Sequence, residues 1–594
     1  MKKPLFFLLC SCAFPFWAKG NVVTPIFQSL LKADSTFTPS QPVEKKPIIF
    51  HGSVRSDLLL PQTDAVIGTE DTHHGLLSNT AAQFSLTYDR WEAGLRYEYQ
   101  QQPLPGFEKD FAGHGLPYAY LRSRLGRFDV TLGSYYEQFG SGLILRTYEA
   151  PTLGIDSHLR GLRVGVDAGA GVQIKAIAGR QRHYWSTNPA NIFGLDGEWS
   201  LPHLSFSPAS RLMLGASWVA KHEEQDNVSR IISQKGQAVP MRQQLIQPTW
   251  VHAFDVRLAW HERHFNALVE YAHKGQDPSF DNGYTYGLGS TLLVSTSYSR
   301  RGLSALLQAK RAENMSFRSQ RSGSLSPSML NHLPPFTPQP TYALTTLYPY
   351  ATQSVPGEWA FQGEISYNLP KRSTLGGRYG TALKGHASQI FALGLNPVAA
   401  AQPLSGTAPS ASSALMGTDG VQSRGFFAMG STLYREIGVD IDRRLSRPLH
   451  LHLAYLHQRY DKTAIEGKGG IITTHIGIGE LRWKASRNLG IRTELQYLHT
   501  QQDQGDWASV LVEVSAFHKW MLTLADQYNG HVYSTSLNRE SAVHYLQGFL
   551  TYTEGLHRLQ LGYGRTRAGY NCAGGVCRYI PAQRGWTLSY NLTF

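Results

Sequence analysis

Apolar and polar residues alternate over many short segments of the chain, and tight turns join neighbouring segments. Residues 84–88 alternate, Asp89 and Arg90 form a turn, and residues 91–99 alternate again. Because successive side chains of a β-strand point to opposite faces, the aromatic and aliphatic residues share one face. Charged residues such as Arg96 share the other face. The pattern predicts an antiparallel hairpin with one apolar surface.

The same alternation recurs at residues 254–260, 265–271, 449–455 and 491–497, and several of these strands end in Tyr or Trp. Their polar face carries Glu270, Arg492 and Glu494. If the apolar face contacts lipid, the polar face lines a lumen, and the aromatic ends form girdles at the membrane surfaces. The pattern therefore predicts an all-β fold, a large transmembrane antiparallel β-barrel.

Long polar segments separate the predicted hairpins, near residues 181–210, 222–250, 312–357 and 394–424. Short turns on one rim and long extracellular loops on the other are typical of outer-membrane barrels. The alternation gives about 20 strands, with a range of about 16–24, since strand boundaries are the least certain feature of a sequence. After residue 20 no apolar run reaches the roughly 18 residues that a membrane-spanning helix needs.

The last nine residues of the sequence alternate strictly. Trp586, Tyr590 and Phe594 lie on one face with two leucines, and the opposite face holds only Thr, Ser and Asn. A strand that ends the chain at an aromatic residue resembles the insertion signal recognised by the barrel-assembly machinery. We therefore expect that machinery as a partner. The alternative is an amphipathic strand of a soluble sandwich.

The start of the chain has the features of a secretory signal. Lys2 and Lys3 precede an apolar centre, and a small-x-small site at residues 18–20 would permit cleavage. A lipoprotein box around Cys12 is the alternative. The sequence thus predicts a signal peptide at residues 1–20, a periplasmic linker at 21–47 and the barrel at 48–594, located in the outer membrane of a Gram-negative bacterium.

Composition supports a barrel and narrows the partners. Aromatic residues make up 11% and charged residues only 17%, and 57 glycines are present. This mixture is typical of strands with aromatic ends. The net charge is +13, and the basic residues are scattered. Export argues against nucleic acid as a partner, which leaves a basic lumen, contact with anionic lipopolysaccharide and outer-membrane lipid, or no function for the charge.

One basic group precedes a long polar segment. It consists of Lys310, Arg311, Arg318 and Arg321. Arginine and lysine side chains of this kind could bind lipopolysaccharide phosphates. A solvated rim is the simpler interpretation, and both place the group at the surface.

Two of the four cysteines, Cys572 and Cys577, enclose a tight glycine-containing loop. Export makes disulfides possible, so we predict a disulfide between them on the extracellular rim. Two cysteines without flanking histidines do not complete a zinc site, and no metal is predicted.

The segment 136–149 is dense in glycine and charge. Gly140 and Gly142 would let the backbone bend, and Glu137, Gln138 and Arg146 are candidates for a polar network in the lumen. The network could be a constriction that selects solutes by charge. The alternative is a salt-bridged plug that keeps buried charges paired.

Histidines number 23, yet no pattern of catalytic residues stands in a usable context. His450 and His452 share a strand face and could bind a metal, but a lone pair of this kind is more often part of a polar lumen wall, which is the favoured interpretation. The sequence predicts no enzymatic activity, no catalytic residue and no cofactor.

Several motifs together resemble a family of Bacteroidota outer-membrane barrels that is labelled a domain of unknown function. They lie at residues 136–149, 153–161, 270–278, 310–318, 347–358, 376–380, 434–436 and 503–507, which spreads the resemblance over most of residues 50–594. The resemblance implies the barrel and its location, and it implies no reaction. The loop between Cys572 and Cys577 is not part of the family pattern.

Three hypotheses of function follow. The barrel size and the charged inner face favour a passive channel or solute transporter of porin type. The first alternative is a non-conducting barrel that serves as a scaffold or accessory subunit of an outer-membrane assembly or secretion complex. The second alternative is a protein that binds ligands through its long surface loops.

Overall fold

Each long strand pairs with the next one along the chain, and the last strand pairs with the first. Ser53 lies opposite Thr593 and Pro61 opposite Gly585, so the sheet closes into a barrel. The fold is shown by a computed structural model, which describes residues 47–69, 75–201, 210–226, 228–232, 241–323, 328–398, 420–530, 542–573 and 576–594. The predicted signal peptide, almost all of the predicted linker and most of the segment 394–424 lie outside these ranges.

The barrel has 24 strands, all antiparallel to their neighbours. We number them β1 to β24 in chain order. They are Ile49–Pro61, Leu77–Tyr88, Trp91–Gln100, Gly113–Leu125, Phe128–Tyr135, Leu159–Gly169, Val172–His183, Ser186–Leu201, Arg211–His222, Trp250–His261, Phe265–Lys274, Gly289–Arg300, Leu303–Glu313, Gly357–Leu369, Thr381–Leu393, Met429–Arg444, Leu449–Asp461, Ile471–Lys484, Leu489–His499, Trp507–Ala516, Trp520–Asn529, Gln547–Glu554, His557–Thr566 and Gln583–Thr593. The short segment Val543–His544 also pairs with β21, just before β22.

The predicted number of about 20 strands was too low. Alternation between polar and apolar residues is lost where the inner face of a strand is apolar as well. In β18, Ile472, Ile476 and Ile478 point into the lumen and are buried, while Leu481 and Trp483 lie exposed on the outer face. A strand that is apolar on both faces does not show a period of two.

The outer surface of the barrel is apolar. Its exposed side chains include Leu95, Leu132, Leu258 and Leu495. Aromatic residues occupy both ends of the strands, and Trp91 and Trp483 are examples at one end and Trp250 and Trp586 at the other. A belt of this kind between two aromatic girdles is the surface that barrels present to a bilayer. No helix of the described residues is long and apolar enough to cross a membrane.

The two rims differ. Turns of a few residues join strands at one rim, for example at residues 89–90, 126–127 and 555–556, and β1 begins and β24 ends there. The opposite rim carries the long segments, and we call the two the short-turn rim and the long-loop rim.

Small elements decorate the strand connections. The additional strand pairs are Glu149–Ala150 with Ile155–Asp156, Ser229–Ile232 with Met241–Gln244, Leu395–Val398 with Gly420–Ser423, and Gly569–Ala573 with Val576–Ile580. The helices of the described residues are the 3-10 turns Lys109–Phe111, Pro151–Leu153, Phe280–Asn282 and Ala343–Thr346 and the α-helical turn Lys462–Glu466.

Phe594 completes the seam between the first and last strands. Its backbone exchanges hydrogen bonds of 2.7 and 2.8 Å with Gly52. Its ring lies 5.8 Å from the ring of Phe50 and 6.5 Å from that of Phe84. A Cβ on Gly52 would come within 2.4 Å of the Phe594 ring, so only glycine lets this ring lie flat on β1. Three aromatic rings therefore cover the closure on the outer face.

We expect Phe594→Ala to weaken barrel closure. Each aromatic pair contributes about 0.5–1.5 kcal/mol beyond its burial, so the loss of two contacts costs about 1–3 kcal/mol. The measurement is the fraction of outer-membrane protein that migrates faster on gels when the sample is not heated. Phe517→Ala is the control, because the Phe517 ring lies exposed in a turn at the same rim. Equal fractions of folded protein for both variants would contradict the prediction.

Candidate functional site

Two segments between strands fold into the lumen and fill it from the long-loop rim. The first plug loop, residues 136–158, joins β5 to β6, and the second plug loop, residues 314–356, joins β13 to β14. Residues 324–327 of the second loop are outside the described ranges. Both loops have fully buried apolar side chains, among them Phe139, Leu143, Ile144, Leu145, Met315, Phe317, Leu330 and Leu344. These pack against apolar residues of the wall, which include Ile177, Val219, Val251, Leu293 and Ile390.

The two plug loops are hydrogen-bonded to each other. The backbone N–H of Arg146 donates to the carbonyl of Leu330 at 2.7 Å, and that of His332 donates to Gly142 at 2.9 Å. The Asn331 amide donates to the carbonyls of Leu143, in the first loop, and Met315, in the second. Since these donors and acceptors are buried, separating the loops would leave them without partners.

The glycine-rich turn of the first plug loop lies on a wall carboxylate. The Ser141 N–H donates to both oxygens of Glu270, at 3.0 and 3.1 Å. Gly140 has a φ of +52°, and a Cβ there would lie 2.5 Å from Glu270 Oε1. Glycine is thus needed at residue 140 for its backbone conformation and for its close approach to β11.

Wall arginines bind the acidic side chains of the first plug loop. Arg96 donates to Glu149 at 2.9 Å and also to Asp156. Arg182 donates to Asp156 at 2.5 Å. Burial alone would raise the pKa of Asp156, but His158 and the two arginines hold it below its ordinary value. The loop is therefore tied to β3 and β7 by charge as well as by packing.

One fully buried ion pair ties the second plug loop to the wall. Lys310 Nζ lies 2.7 Å from Glu358 Oε1, and both side chains are completely inaccessible. The other oxygen of Glu358 accepts hydrogen bonds from the Tyr350 hydroxyl at 2.5 Å and the Gln353 N–H at 2.8 Å. Lys310 also donates to the carbonyl of Pro334 at 2.7 Å. The second loop thus wraps around a charge pair that no water reaches.

The residues that the sequence grouped at 137–146 have separate partners. Glu137 binds Arg163 at 2.6 Å and Lys175 at 3.3 Å on the wall, whereas the Arg146 guanidinium lies over the ring of Tyr148. Gln138 donates to the carbonyl of Gly140 at 2.9 Å. No ion pair between Glu137 and Arg146 is found in the described residues. Glu137 therefore ties the first plug loop to the wall, whereas the Arg146 side chain packs within the loop itself.

Arg492 and Glu494 lie together on the inner face of β19. Arg492 binds Glu494 directly, and it reaches Glu513 at 2.7 Å and Glu480 at 2.9 Å on the neighbouring strands. The second plug loop comes close to this group, because the Tyr342 hydroxyl lies 3.5 Å from Glu480. Arg482 also binds Glu480, so two arginines and three carboxylates form one ion-pair network on this part of the lumen wall.

The basic group predicted to lie at the surface is buried. Lys310, Arg311, Arg318 and Arg321 are at most 7% exposed. Lys310 pairs with Glu358, Arg311 with Glu313, Arg318 with Asp281, and Arg321 with Glu223. Both surface interpretations of this group were wrong. Lys310, Arg318 and Arg321 anchor the segment after β13, which turns inward. Arg311 instead donates to the Phe426 carbonyl and the Ser423 hydroxyl, between β15 and β16.

The other residues singled out in the sequence lie at the long-loop rim, on the outer face and on the lumen wall. Cys572 and Cys577 form a disulfide at the long-loop rim, as predicted. Trp586 and Tyr590 lie on the outer face of β24. His450 and His452 pair with Asp442 and Asp440 on the lumen wall. Groups of three or more potential metal ligands are absent from the described part of the chain.

Sequence reasoning missed the role of two wall residues that hold the plug, Arg96 and Arg182. Arg96 lies on the predicted polar face beside Glu98, which it binds at 2.8 Å, but its two partners in the plug come from a segment more than 50 residues away. The sequence feature that could have revealed Arg96 is its position in the middle of a strand. Such an arginine needs a carboxylate partner once it is buried.

We expect Glu358→Gln to destabilise the barrel strongly. The substitution keeps the shape but leaves the Lys310 ammonium buried without its counter-ion, and breaking such a pair costs about 3–5 kcal/mol. The midpoint temperature of gel-shift unfolding should fall. The matched control is Glu554→Gln, which breaks the exposed pair with Lys519 at the short-turn rim and should change the midpoint little. Similar shifts for the two variants would contradict the buried pair.

Acid should loosen the plug through His332. Burial, together with the charges of Arg146 and Lys310, lowers the pKa of His332 to about 3. The unfolded loop binds a proton near pH 6.5 and the seated loop does not, so stability falls as the pH drops below that value. The loss is about 2 kcal/mol at pH 5. Protease cleavage of the plug loops at pH 5 against pH 7.5 measures it, and His332→Gln should remove the difference. A pH effect of the same size in the variant would contradict this assignment.

Three solved structures align with most of this chain at low identity. The siderophore receptor PirA from Pseudomonas aeruginosa aligns over 93% of this chain and 81% of its own, with 11% identity and a TM-score of 0.40. A mutant of the ferric enterobactin receptor PfeA from the same organism gives the same coverage and identity with a TM-score of 0.42. The translocation pore of the P pilus usher PapC aligns over 92% and 99%, with 10% identity and a TM-score of 0.41.

With TM-scores below 0.5, these likenesses carry no argument about function. No curated protein matches the sequence. The model of one family, described as a family of unknown function (DUF6029), matches residues 1–594. The chain belongs to that family.

Proposed function

We propose that this chain is an outer-membrane β-barrel of a Gram-negative bacterium whose own plug loops keep the lumen closed at rest. The observation that carries the proposal is the burial of both loops against the wall, through apolar packing and ion pairs. The apolar outer belt with its aromatic ends supports the location. The Bacteroidota source and the need for the barrel-assembly machinery are parts of the same proposal.

Passive diffusion of porin type, which the sequence alone favoured, fits this interior less well. A porin lumen is polar and filled with water. Here Phe139, Leu143 and Ile144 of the first plug loop are fully buried inside the barrel. Expelling them into water would cost about 25 cal/mol for each Å² of apolar surface exposed. Solute passage would therefore require a partner or ligand that stabilises a displaced plug.

The closed lumen suits the first alternative, a scaffold or accessory subunit of an outer-membrane complex. Such a role needs a rigid barrel and no conduction. Ligand capture by the surface loops, the second alternative, is compatible with the same closed lumen. We propose a non-enzymatic role in each case.

The test is conductance of the purified full-length chain in planar bilayers. We expect the unmodified protein to show no stepwise conductance across a range of salts and voltages. Gly140→Ala should produce openings. A Cβ there collides with Glu270, so the first plug loop can no longer pack against this wall residue. Gly126→Ala is the matched control. Gly126 has a φ of +61° with nothing within 4 Å, so its substitution adds similar backbone strain without a collision.

Steady stepwise conductance of the unmodified chain would contradict the closed lumen and favour porin-type diffusion. Openings of equal size in the Gly140→Ala and Gly126→Ala variants would show that backbone strain, rather than the seat on Glu270, controls them.

A further inference from the structure

A cavity of about 810 Å³ lies at the long-loop rim, apart from the ion pairs that hold the first plug loop. Segments from both sides of the barrel seam and from the second plug loop line it. Its aromatic residues are Tyr348, Trp507, Tyr545, Tyr570 and Tyr579, and Arg567 is among its charged residues. Five aromatic rings around one space are more than the packing of a polar loop region requires. Concave, ring-lined spaces with a few polar groups are typical of small-molecule sites.

The cavity has a buried floor and an open mouth. Tyr348, Trp507 and Tyr545 at the floor are at most 3% exposed, and Trp507 and Tyr545 stack with ring centroids 5.7 Å apart. Tyr570 and Tyr579 at the mouth are 39% and 53% exposed. A ligand can therefore enter past two accessible tyrosines and reach an apolar floor.

Arg567 brings a positive charge into this cavity, and none of the described residues provides it with a counter-ion. Its guanidinium donates to neutral acceptors, which are the Gln527 side chain, the carbonyls of Ala568 and Ala343, and the Thr346 hydroxyl at 2.6 Å. Within the described ranges, no carboxylate lies within ion-pair distance of it. Burial lowers the pKa of Arg567 to about 10, the direction expected for a cation that lacks an anionic partner.

Neighbouring cations at the same rim are paired. Arg565, two residues earlier, lies 2.6 Å from Asp64, and Lys462 lies 3.0 Å from Asp503. The acid that lines the cavity, Glu466, accepts a hydrogen bond from the Tyr460 hydroxyl at 2.8 Å. Among the described residues, acids therefore pair with Arg565 and Lys462, whereas Arg567 has neutral partners. A buried charge in that state gains most from an anion that arrives from solution.

The disulfide holds the mouth in shape. Cys572 and Cys577 lie opposite each other in the hairpin Gly569–Ala573 with Val576–Ile580. Tyr570 and Tyr579 pair directly across the same hairpin, with ring centroids 5.6 Å apart. The covalent link therefore fixes the two strands that present these rings.

We propose that this cavity binds a small organic carboxylate that carries a ring. Its carboxylate pairs with Arg567, and its ring lies among the tyrosines between the mouth and the Trp507 floor. An acidic sugar and an aromatic acid share this chemistry. The inference needs the second plug loop in place, because Leu347 and Tyr348 of that loop line the cavity, but it does not need the lumen to be closed to solutes.

The test uses the full-length chain in nanodiscs, with titration calorimetry and the tryptophan fluorescence that reports on Trp507. Trigalacturonate and benzoate are the two carboxylate probes, and maltotriose is the neutral sugar control. We expect at least one carboxylate to bind and maltotriose not to bind. The probe that binds identifies the ring as a sugar or an aromatic group.

Three variants locate the site. Arg567→Gln should weaken binding of the carboxylate at least tenfold, which corresponds to about 1.4 kcal/mol. Tyr579→Ala should weaken it severalfold, and its exposed ring makes a folding defect improbable. Arg558→Gln, an arginine of the same region of sequence that lies exposed near the short-turn rim, should leave affinity unchanged. Reduction of the disulfide in the unmodified chain should weaken binding as well.

Several results would overturn the proposal. The first is a folded chain that binds neither carboxylate. The second is binding of maltotriose that is as tight as that of trigalacturonate. Binding that survives both Arg567→Gln and Tyr579→Ala places the ligand elsewhere. Gel shift on heating confirms folding of each variant, and Tyr579→Ala decides the matter if Arg567→Gln does not fold. A conductance result has no bearing on these outcomes.

Discussion

Closure of the sheet is the constraint on which the rest of the structure depends. Pairing of β1 with β24 leaves the sheet without a free strand edge, so each strand has a neighbour on both sides with which its backbone groups can pair. Closure of 24 strands also makes a lumen far wider than wall side chains can fill, since about eight strands is the size at which they meet. The interior must hold either water or additional chain, and this protein folds residues 136–158 and 314–356 into it.

Loops that fill the lumen must also have their charges paired. Both the loops and the wall place charged side chains in a buried space. The wall provides partners for these charges, in the form of carboxylates and arginines in the middle of its strands. Arg257 lies within 3.1 Å of Asp196, Glu198 and Asp255, and Glu270 accepts from the backbone of Ser141. Buried pairs of this kind add less to stability than apolar packing would, but breaking one of them is costly. The main effect of buried ion pairs between the loops and the wall is therefore to define one position of the plug. Their contribution to its net stability is smaller.

The local pattern of apolar and polar residues predicted those parts of the fold that depend on residues close together in the sequence. The hairpin at 84–99, the aromatic last strand and the Cys572–Cys577 disulfide depend on spacing within a few residues, and each could be predicted. A salt-bridged plug at 136–149 was one of the two sequence interpretations, but the second plug loop was not expected. The contacts of both loops could not be predicted, because they join distant segments, such as Ser141 with Glu270 and Arg146 with Leu330. Polar, proline-containing sequence such as 331–340 looks the same whether it covers a rim or descends into a lumen. The error over Lys310 and Arg321 has this origin, since a charged side chain is normally solvated unless tertiary structure supplies its partner.

Arg567 belongs to the rim cavity and to the plug at once. The Thr346 hydroxyl and the Ala343 carbonyl that it contacts are part of the second plug loop, in which Leu347 and Tyr348 also line the cavity. A carboxylate carries a full negative charge and can accept two hydrogen bonds from a guanidinium, whereas the Thr346 hydroxyl is neutral, so an anion would compete with Thr346 for the same guanidinium. A ligand that binds differently to the seated and the displaced loop must shift the balance between them, and the loop must in turn change the ligand's affinity. The shared arginine thus gives the closed barrel a physical route by which a ligand at the surface can act on the plug.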